Sequence, residues 1–295
     1  MLAWGFIMAD LQLNEASNLI KGIQLPPRPQ LLNDIGEVYP DIGKISSVIA
    51  TDQGVSAGVL RAVNSPLYGL PHKIKSLHRA VVILGLSSVL NIVNAMFLRA
   101  ALGNTTHPLF PTYWQSCTDT GIACATFSRR LRLGIDEPAY LTGLFHNCGI
   151  PLMLRKFPTY ADTLIESYTT SNPAAFEEEQ IKTQHASVGA WIAHYWKLPD
   201  SVCEAIQVHH DANRQLTNGE IDREPLLLLA LLKMAEHAAS LYERLGKNDV
   251  DHEWVLVCPA VARFLGLNIA DVEDLIQEAR GEIDEQNHRG LWPQF

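Results

Sequence analysis

The chain is 295 residues long, 47% apolar and 19% charged, with a mean hydropathy of +0.02, a balance that builds a sizeable buried core and excludes intrinsic disorder. Its 23 Lys and Arg against 32 Asp and Glu leave a net charge of −9, which argues against nucleic-acid binding, since affinity for a phosphate backbone comes mostly from cationic side chains. The five cysteines, Cys117, Cys124, Cys148, Cys203 and Cys258, form no CxxC pair, so neither a disulfide framework nor a thiolate zinc site is indicated and a reducing cytoplasm is expected.

The opening MLAWGFIM is apolar for eight residues, has no positive leading region and runs at once into Asp10, so it is too short for a membrane span or an ordinary signal peptide. Met1 and Met8 stand as alternative natural starts. Helical periodicity then dominates and no run of alternating β-branched residues occurs, which sets the class as an all-α, multi-helix bundle. Helices are predicted at 9–22, 30–38 and 42–51, with the breaker LPPRP at 25–29 between the first two. Asp52 caps the next helix, which ends at Asn64-Ser65-Pro66 because the residue before proline disfavours the helical conformation. The polar kink at Asn64, Ser65, Tyr68 and Gly69 reads as capping and turn chemistry. Ser76 caps 77–84, Gly85 interrupts, and an apolar helix runs from 87 to about 102.

Turn residues gather at 103–111, including His107-Pro108 and Phe110-Pro111, which places a domain junction between an N-terminal helical subdomain, 1–105, and a second helical subdomain, 106–295. Longer helices are predicted beyond it, at 112–133, 137–154, 160–168, 173–183, 186–196, 200–210, 225–245, 253–265 and 269–286. The apolar run at 226–234 is far below the roughly 20 residues a bilayer needs and reads as a buried helix, so no membrane partner is expected. Glu177-Glu178-Glu179, following Asn172-Pro173, reads as a solvated first-turn dipole partner.

Histidine usage is the chemically informative feature. Of eleven, His146, His185, His194, His209 and His210 lie on or beside helices of the second half, and helix bundles can bring such imidazoles together around a metal. His146 reads either as a core histidine bonded to backbone or as a ligand of a mononuclear site. His185 reads either as a capping or surface imidazole or as a ligand. His209 and His210 are pocket-lining candidates, His194 reads as an aromatic packing partner beside Tyr195 and Trp196, and Cys148 reads as a small core residue rather than a nucleophile.

The segment Gly143-Leu144-Phe145-His146-Asn147-Cys148-Gly149 resembles the GLLHDxGK-like core of the HD superfamily, with Asn147 in place of the aspartate and Ile150 in place of the lysine. Gln184-His185-Ala186-Ser187-Val188-Gly189-Ala190-Trp191 is similar to the next histidine helix of that superfamily, and Leu198-Pro199, Ala205-Ile206 and His209-His210-Asp211 to its LP…AI..HH element. In the first half, Leu25-Pro26-Pro27-Arg28-Pro29, Ile49-Ala50-Thr51-Asp52-Gln53, Leu60-Arg61-Ala62-Val63-Asn64-Ser65, Tyr68-Gly69-Leu70, Ile74…Ala80 and Ile83-Leu84-Gly85-Leu86 resemble the HDOD, or HD-related output, domain. The resemblance covers roughly residues 20–245.

What this resemblance implies is mixed. An earlier histidine ligand of HD phosphohydrolases aligns with Ser116, the bridging aspartate with Asn147, and the distal aspartate with Glu236, leaving His146, His185, His209, His210 and Glu236 as a vestigial metal set and no assigned catalytic residue. A neutral amide at Asn147 cannot supply the charge that a two-metal site uses to position hydroxide. The expected function is therefore a non-catalytic signalling or regulatory protein of bacterial signal transduction that binds a partner protein or small effector, working at the cleft between the two subdomains. The alternatives are a metal-dependent phosphohydrolase acting on a nucleotide or cyclic dinucleotide, and a nucleotide sensor without turnover. The expected cofactor is none, or a divalent transition metal such as iron or manganese in the vestigial site.

Overall fold

The computed structural model describes residues 26–64, 70, 72–103, 107–219 and 221–288. The predicted helix at 9–22, and Ser65, Tyr68 and Gly69 of the kink, lie outside the described residues. Helices account for the regular structure and no strand occurs among the described residues, as the all-α reading required.

The first stretch is a set of short amphipathic helices. Helix α1 (Gln30–Val38) buries Leu31, Leu32 and Ile35 on one face. Helix α2 (Ile42–Ile49) starts where the Asp41 carboxylate accepts the Lys44 N–H at 3.0 Å, and α3 (Gln53–Val63) where Asp52 accepts the Val55 N–H at 2.9 Å; each satisfies an otherwise orphaned donor of a first turn. Asn64 ends α3, and its side-chain amide bridges the Leu60 and Ile74 carbonyls at 2.7 and 2.8 Å while its oxygen accepts the Ile74 N–H at 2.7 Å. Ser76 caps α4 (Leu77–Leu84). Gly85, at φ +80°, then turns the chain by 110° into α5 (Leu86–Leu102), a left-handed conformation that favours glycine.

The second stretch is built on two helices buried almost all round. Helix α6 (Phe110–Arg130) is enclosed along most of its length, and α7 (Asp136–Phe145) packs on it where Gly143 faces Thr120 and Gly121. A Cβ at Gly143 would stand 2.6 Å from the Thr120 carbonyl oxygen, so glycine permits the close crossing. After α8 (Ile150–Lys156), α9 (Tyr160–Ser167), α10 (Pro173–Ile181), α11 (His185–Tyr195), α12 (Asp200–Gln207) and α13 (Ala212–Asn218) comes α14 (Arg223–Ala238), whose Leu-rich run is buried against α6, α7 and α12. Helices α15 (Leu241–Arg244), α16 (His252–Leu265) and α17 (Ile269–His288) close the bundle, α16 and α17 against α14 and α17 also against α6. All five cysteines are buried and free.

Three predicted helices are broken. The run at 137–154 divides into α7 and α8 at a His146–Gly149 turn, where Pro151, in the first turn of α8, lacks the N–H a continuous helix needs, and a Cβ on Gly149 would fall 2.2 Å from the His185 carbonyl oxygen. The run at 200–210 stops at Gln207 and continues as a 3₁₀ turn, His209–Asp211, before α13, a helix the periodicity did not signal. The run at 225–245 breaks after Ala238 with Ser240 at φ +53°. No single described helix is long and apolar enough to cross a membrane; the pairs α4–α5 and α16–α17 are apolar enough together but bent by 110° and 102°.

Candidate metal centre

Four imidazoles meet in the interior of the second stretch, delivered by three local devices. His146 follows the last residue of α7 and is held by the α7–α8 turn; His185 opens α11; His209 and His210 occupy the 3₁₀ turn after α12. Gly149 and Gly189 allow the α7–α8 turn and α11 to touch, with a Cβ on Gly189 only 3.2 Å from the His146 carbonyl oxygen. Adjacent residues of an α-helix point about 100° apart; the tighter 3₁₀ geometry here accompanies a His209–His210 ring-centroid distance of 4.0 Å. His185 lies 5.4 and 4.9 Å from His209 and His210, and His146 lies 5.5 Å from His209.

Each ring has its Nδ1 committed away from the centre. His146 Nδ1–H donates to the Gly143 carbonyl and His209 Nδ1–H to the Ile206 carbonyl, both at 2.7 Å. His185 Nδ1–H donates to Glu177 at 2.8 Å and His210 Nδ1–H to Glu253 at 2.9 Å. With the rings neutral, this assignment leaves Nε2 of His146 and His209 as lone pairs. The Nε2 atoms of His146 and His209 are buried without a partner, and those of His185 and His210 face one another at 3.1 Å. Two lone pairs at that separation repel unless a proton or a cation satisfies them. Glu236, on α14, brings Oε1 to 3.5 Å from His146 Nε2 and 4.0 Å from His209 Nε2. All five residues of the expected set are therefore brought together, and His185, His209 and His210 can each turn one donor atom to within 4.8 Å of the others.

The electrostatics favour neutral rings at His146, His209 and His210. Burial lowers His146 to about 3, partly offset by the bond to Gly143, and burial followed by neighbouring positive groups holds His209 and His210 well below the ordinary histidine range. Burial raises Glu236 to about 7 despite the opposing Lys233 ammonium, and raises Glu253 in the same way. Lys233 would be lowered by burial, but the two carboxylates outweigh that and keep it above its ordinary value.

Three members of this cluster escaped the sequence reading. Glu177 is fully buried rather than solvated: it accepts the Tyr160 hydroxyl at 2.9 Å, the His185 backbone N–H at 2.8 Å and His185 Nδ1–H. It is thus the carboxylate that orients an imidazole from behind, a role that fixes ring direction and tautomer in metal sites. Its signal was the spacing Ala174, Glu177, Ile181 on one face of α10, with Glu178 and Glu179 elsewhere. Lys233 and Glu253 are the others, and charged residues in an apolar run and at a helix start carry no comparable signal.

The residues aligned with lost ligands do not restore them. Ser116 is buried and its hydroxyl donates to the Tyr113 carbonyl at 2.7 Å within its own helix. Asn147 is buried with both side-chain polar atoms unpartnered. His185 is fully buried, which removes its surface reading, whereas His194 is exposed on α11 and outside the cluster. A pocket of about 370 Å³, part of it open to solvent, reaches the cluster at His210, Lys233, Glu236 and Glu253 and is walled by Tyr168, Tyr242 and Trp254. Its lining starts at Tyr168, so it lies within the second stretch and not in the expected cleft between the two.

Converging imidazole lone pairs with outward-bonded Nδ1 groups, a nearby carboxylate and orphaned buried nitrogens fit a transition-metal ion. Similar folds occur among solved structures: a candidate signal-transduction protein from Marinobacter aquaeolei VT8 (TM-score 0.71, 22% identity, 94% of this chain and 61% of that one) and an HDOD domain protein of unknown function from Geobacter sulfurreducens (0.67, 22%, 94% and 98%). A third is a candidate phosphohydrolase from Shewanella amazonensis SB2B (0.66, 21%, 92% and 97%). An uncharacterized protein of Treponema pallidum (strain Nichols) is 26% identical over 198 residues, 63% of this chain but only 38% of that protein. The HDOD domain profile matches residues 25–212, a span that takes in His146, His185, His209 and His210, and the chain belongs to the HDOD domain family.

Proposed function

We propose that this protein is a non-catalytic regulatory module whose four-histidine pocket holds one divalent transition-metal ion, and which passes its state to a signalling partner or small effector. The observation that carries the reading is the cluster of His185, His209 and His210, whose donor atoms lie within 4.8 Å of one another, with His146 beside His209 and each ring set by an Nδ1 bond behind it. His146, His185, His209 and His210 would give one nitrogen each and Glu236 a carboxylate oxygen. Bound there, such an ion supplies positive charge and Lewis acidity to a group entering from the pocket.

Charge balance favours a bound cation. Three carboxylates, Glu177, Glu236 and Glu253, stand against a single ammonium, Lys233, around the rings, an acidic balance that a bound cation offsets. Hydrolysis is disfavoured by what stands at Asn147 and Ser116: an uncharged amide and a hydroxyl bonded back to its own helix, neither able to supply the anionic ligand that positions a nucleophilic water.

The test is elemental analysis of untagged protein purified without chelator, beside a release assay with generic phosphoesters. One transition-metal ion per chain without phosphate release is expected, from wild type. Turnover by wild type overturns the non-catalytic role, and absence of metal overturns the metal site.

A further inference from the structure

The two buried carboxylates that reach the histidines are both held by one buried ammonium. Lys233 Nζ lies 2.8 Å from Glu253 Oε1 and pairs with Glu236 Oε2 one turn along α14. The other oxygen of each carboxylate serves an imidazole: Glu236 Oε1 faces His146 Nε2 at 3.5 Å, and Glu253 Oε2 accepts His210 Nδ1–H at 2.9 Å. The Lys233 side chain is 3% exposed.

We propose that Lys233 is a built-in second cation, which takes the carboxylate oxygens that a second metal ion would need and so limits the pocket to one ion. The inference rests on the one-metal reading above. Lys233 already occupies one oxygen of Glu236 and one of Glu253, the two carboxylates that reach the histidines. A second divalent ion placed there would displace the ammonium from these oxygens or sit against like charge in a buried site, an arrangement that is costly. An ammonium also offers only N–H donors, so the oxygens it holds are engaged without any site being opened for water or a bridging anion. Lys233 further keeps Glu253 against His210, which holds the His210 Nε2 lone pair toward the other rings.

The test is equilibrium dialysis of the full chain against manganese(II), read by elemental analysis and by electron paramagnetic resonance, for wild type, Lys233→Met and Lys233→Met/Glu253→Gln. Wild type is expected to saturate at one ion with an isolated six-line spectrum, even in large excess of metal. Lys233→Met is expected to saturate at two, with the spectrum broadened by coupling, and the double variant to return to one. One ion in both wild type and a folded Lys233→Met, by circular dichroism, overturns the role of Lys233 while leaving the one-metal reading intact. Two ions in wild type overturns it whatever the variants do. No ion in wild type overturns the one-metal reading and this inference together.

Discussion

The two stretches of this chain bury aliphatic surface in the same way and polar groups in very different ways. Between residues 26 and 103, Ser46 is the one buried polar side chain among the described residues, and its hydroxyl is spent on the Ile42 carbonyl of its own helix. Beyond residue 107 the interior holds His146, Asn147, Glu177, His185, His209, His210, Lys233 and Glu236. A protein interior accepts such groups only when they are paired, and then at a cost that apolar packing would avoid. The contrast teaches where the chemistry resides: the first stretch is held by caps and packing, and the second keeps an ionic cluster that stability alone would replace.

The largest effect separating the two follows from removing the cation. Lys233→Met strands two buried carboxylates, and the metal-free variant is expected to lose about 3–5 kcal/mol, measured by denaturant unfolding, with part of the loss recovered by added manganese(II). Recovery identifies the defect as missing charge; an equal loss with and without metal would make Lys233 a packing residue.

Acid addresses the same cluster. His146, His209 and His210 sit below their unfolded value of about 6.5, with His146 at about 3, so unfolding takes up protons and the metal-free protein loses stability as pH falls from about 6.5 toward 3. Glu236, raised to about 7, and Glu253, raised in the same direction, act oppositely, their contribution being lost as pH rises from about 4.5 toward 7. The two effects oppose each other between about 4.5 and 6.5, and below about 4.5 only the imidazoles act, so melting temperature should fall on acidification below about 4.5. A flat profile would mean that the rings are not buried neutral.

Backbone contact gives the next step down. Gly149→Ala places a methyl group against the His185 carbonyl and is expected to cost about 1–3 kcal/mol and to weaken metal binding, since His146 and His185 are set by the same contact. Glu177→Gln removes the charge behind His185 and is expected to lower metal affinity about 10–100-fold in calorimetric titration, with helicity retained. The smallest change belongs to the other stretch: Asp52→Ala loses a helix cap worth about 1 kcal/mol and should leave metal affinity unaltered. A shift in affinity from Asp52→Ala would break the separation between the two.

Much of this was legible in the sequence. Helices α1 and α4, and the caps Asp52 and Ser76, follow from periodicity and capping chemistry that act locally. His146, His185, His209, His210 and Glu236, which the motifs single out, lie near one another in the fold. What stayed hidden depends on distant contacts. The close seat of α11 on Gly149 is one such contact, although the break between α7 and α8 itself was legible in Pro151. Glu177 and Glu253 look like surface carboxylates until the histidines they serve are in place, and Lys233 needs both Glu236 and Glu253 before its burial makes physical sense. Charged residues are rarely buried unless paired, so the pairing must be seen before the burial can be read.

The central claim is that the polar cluster of the second stretch is a single imidazole-rich metal site. X-ray absorption of the protein loaded with one equivalent of manganese(II) tests it most directly. The expected spectrum is a shell of nitrogen and oxygen donors with the multiple-scattering signature of three to four imidazoles and no metal neighbour; absence of imidazole scattering, or a second metal, would rule out a single imidazole-rich site.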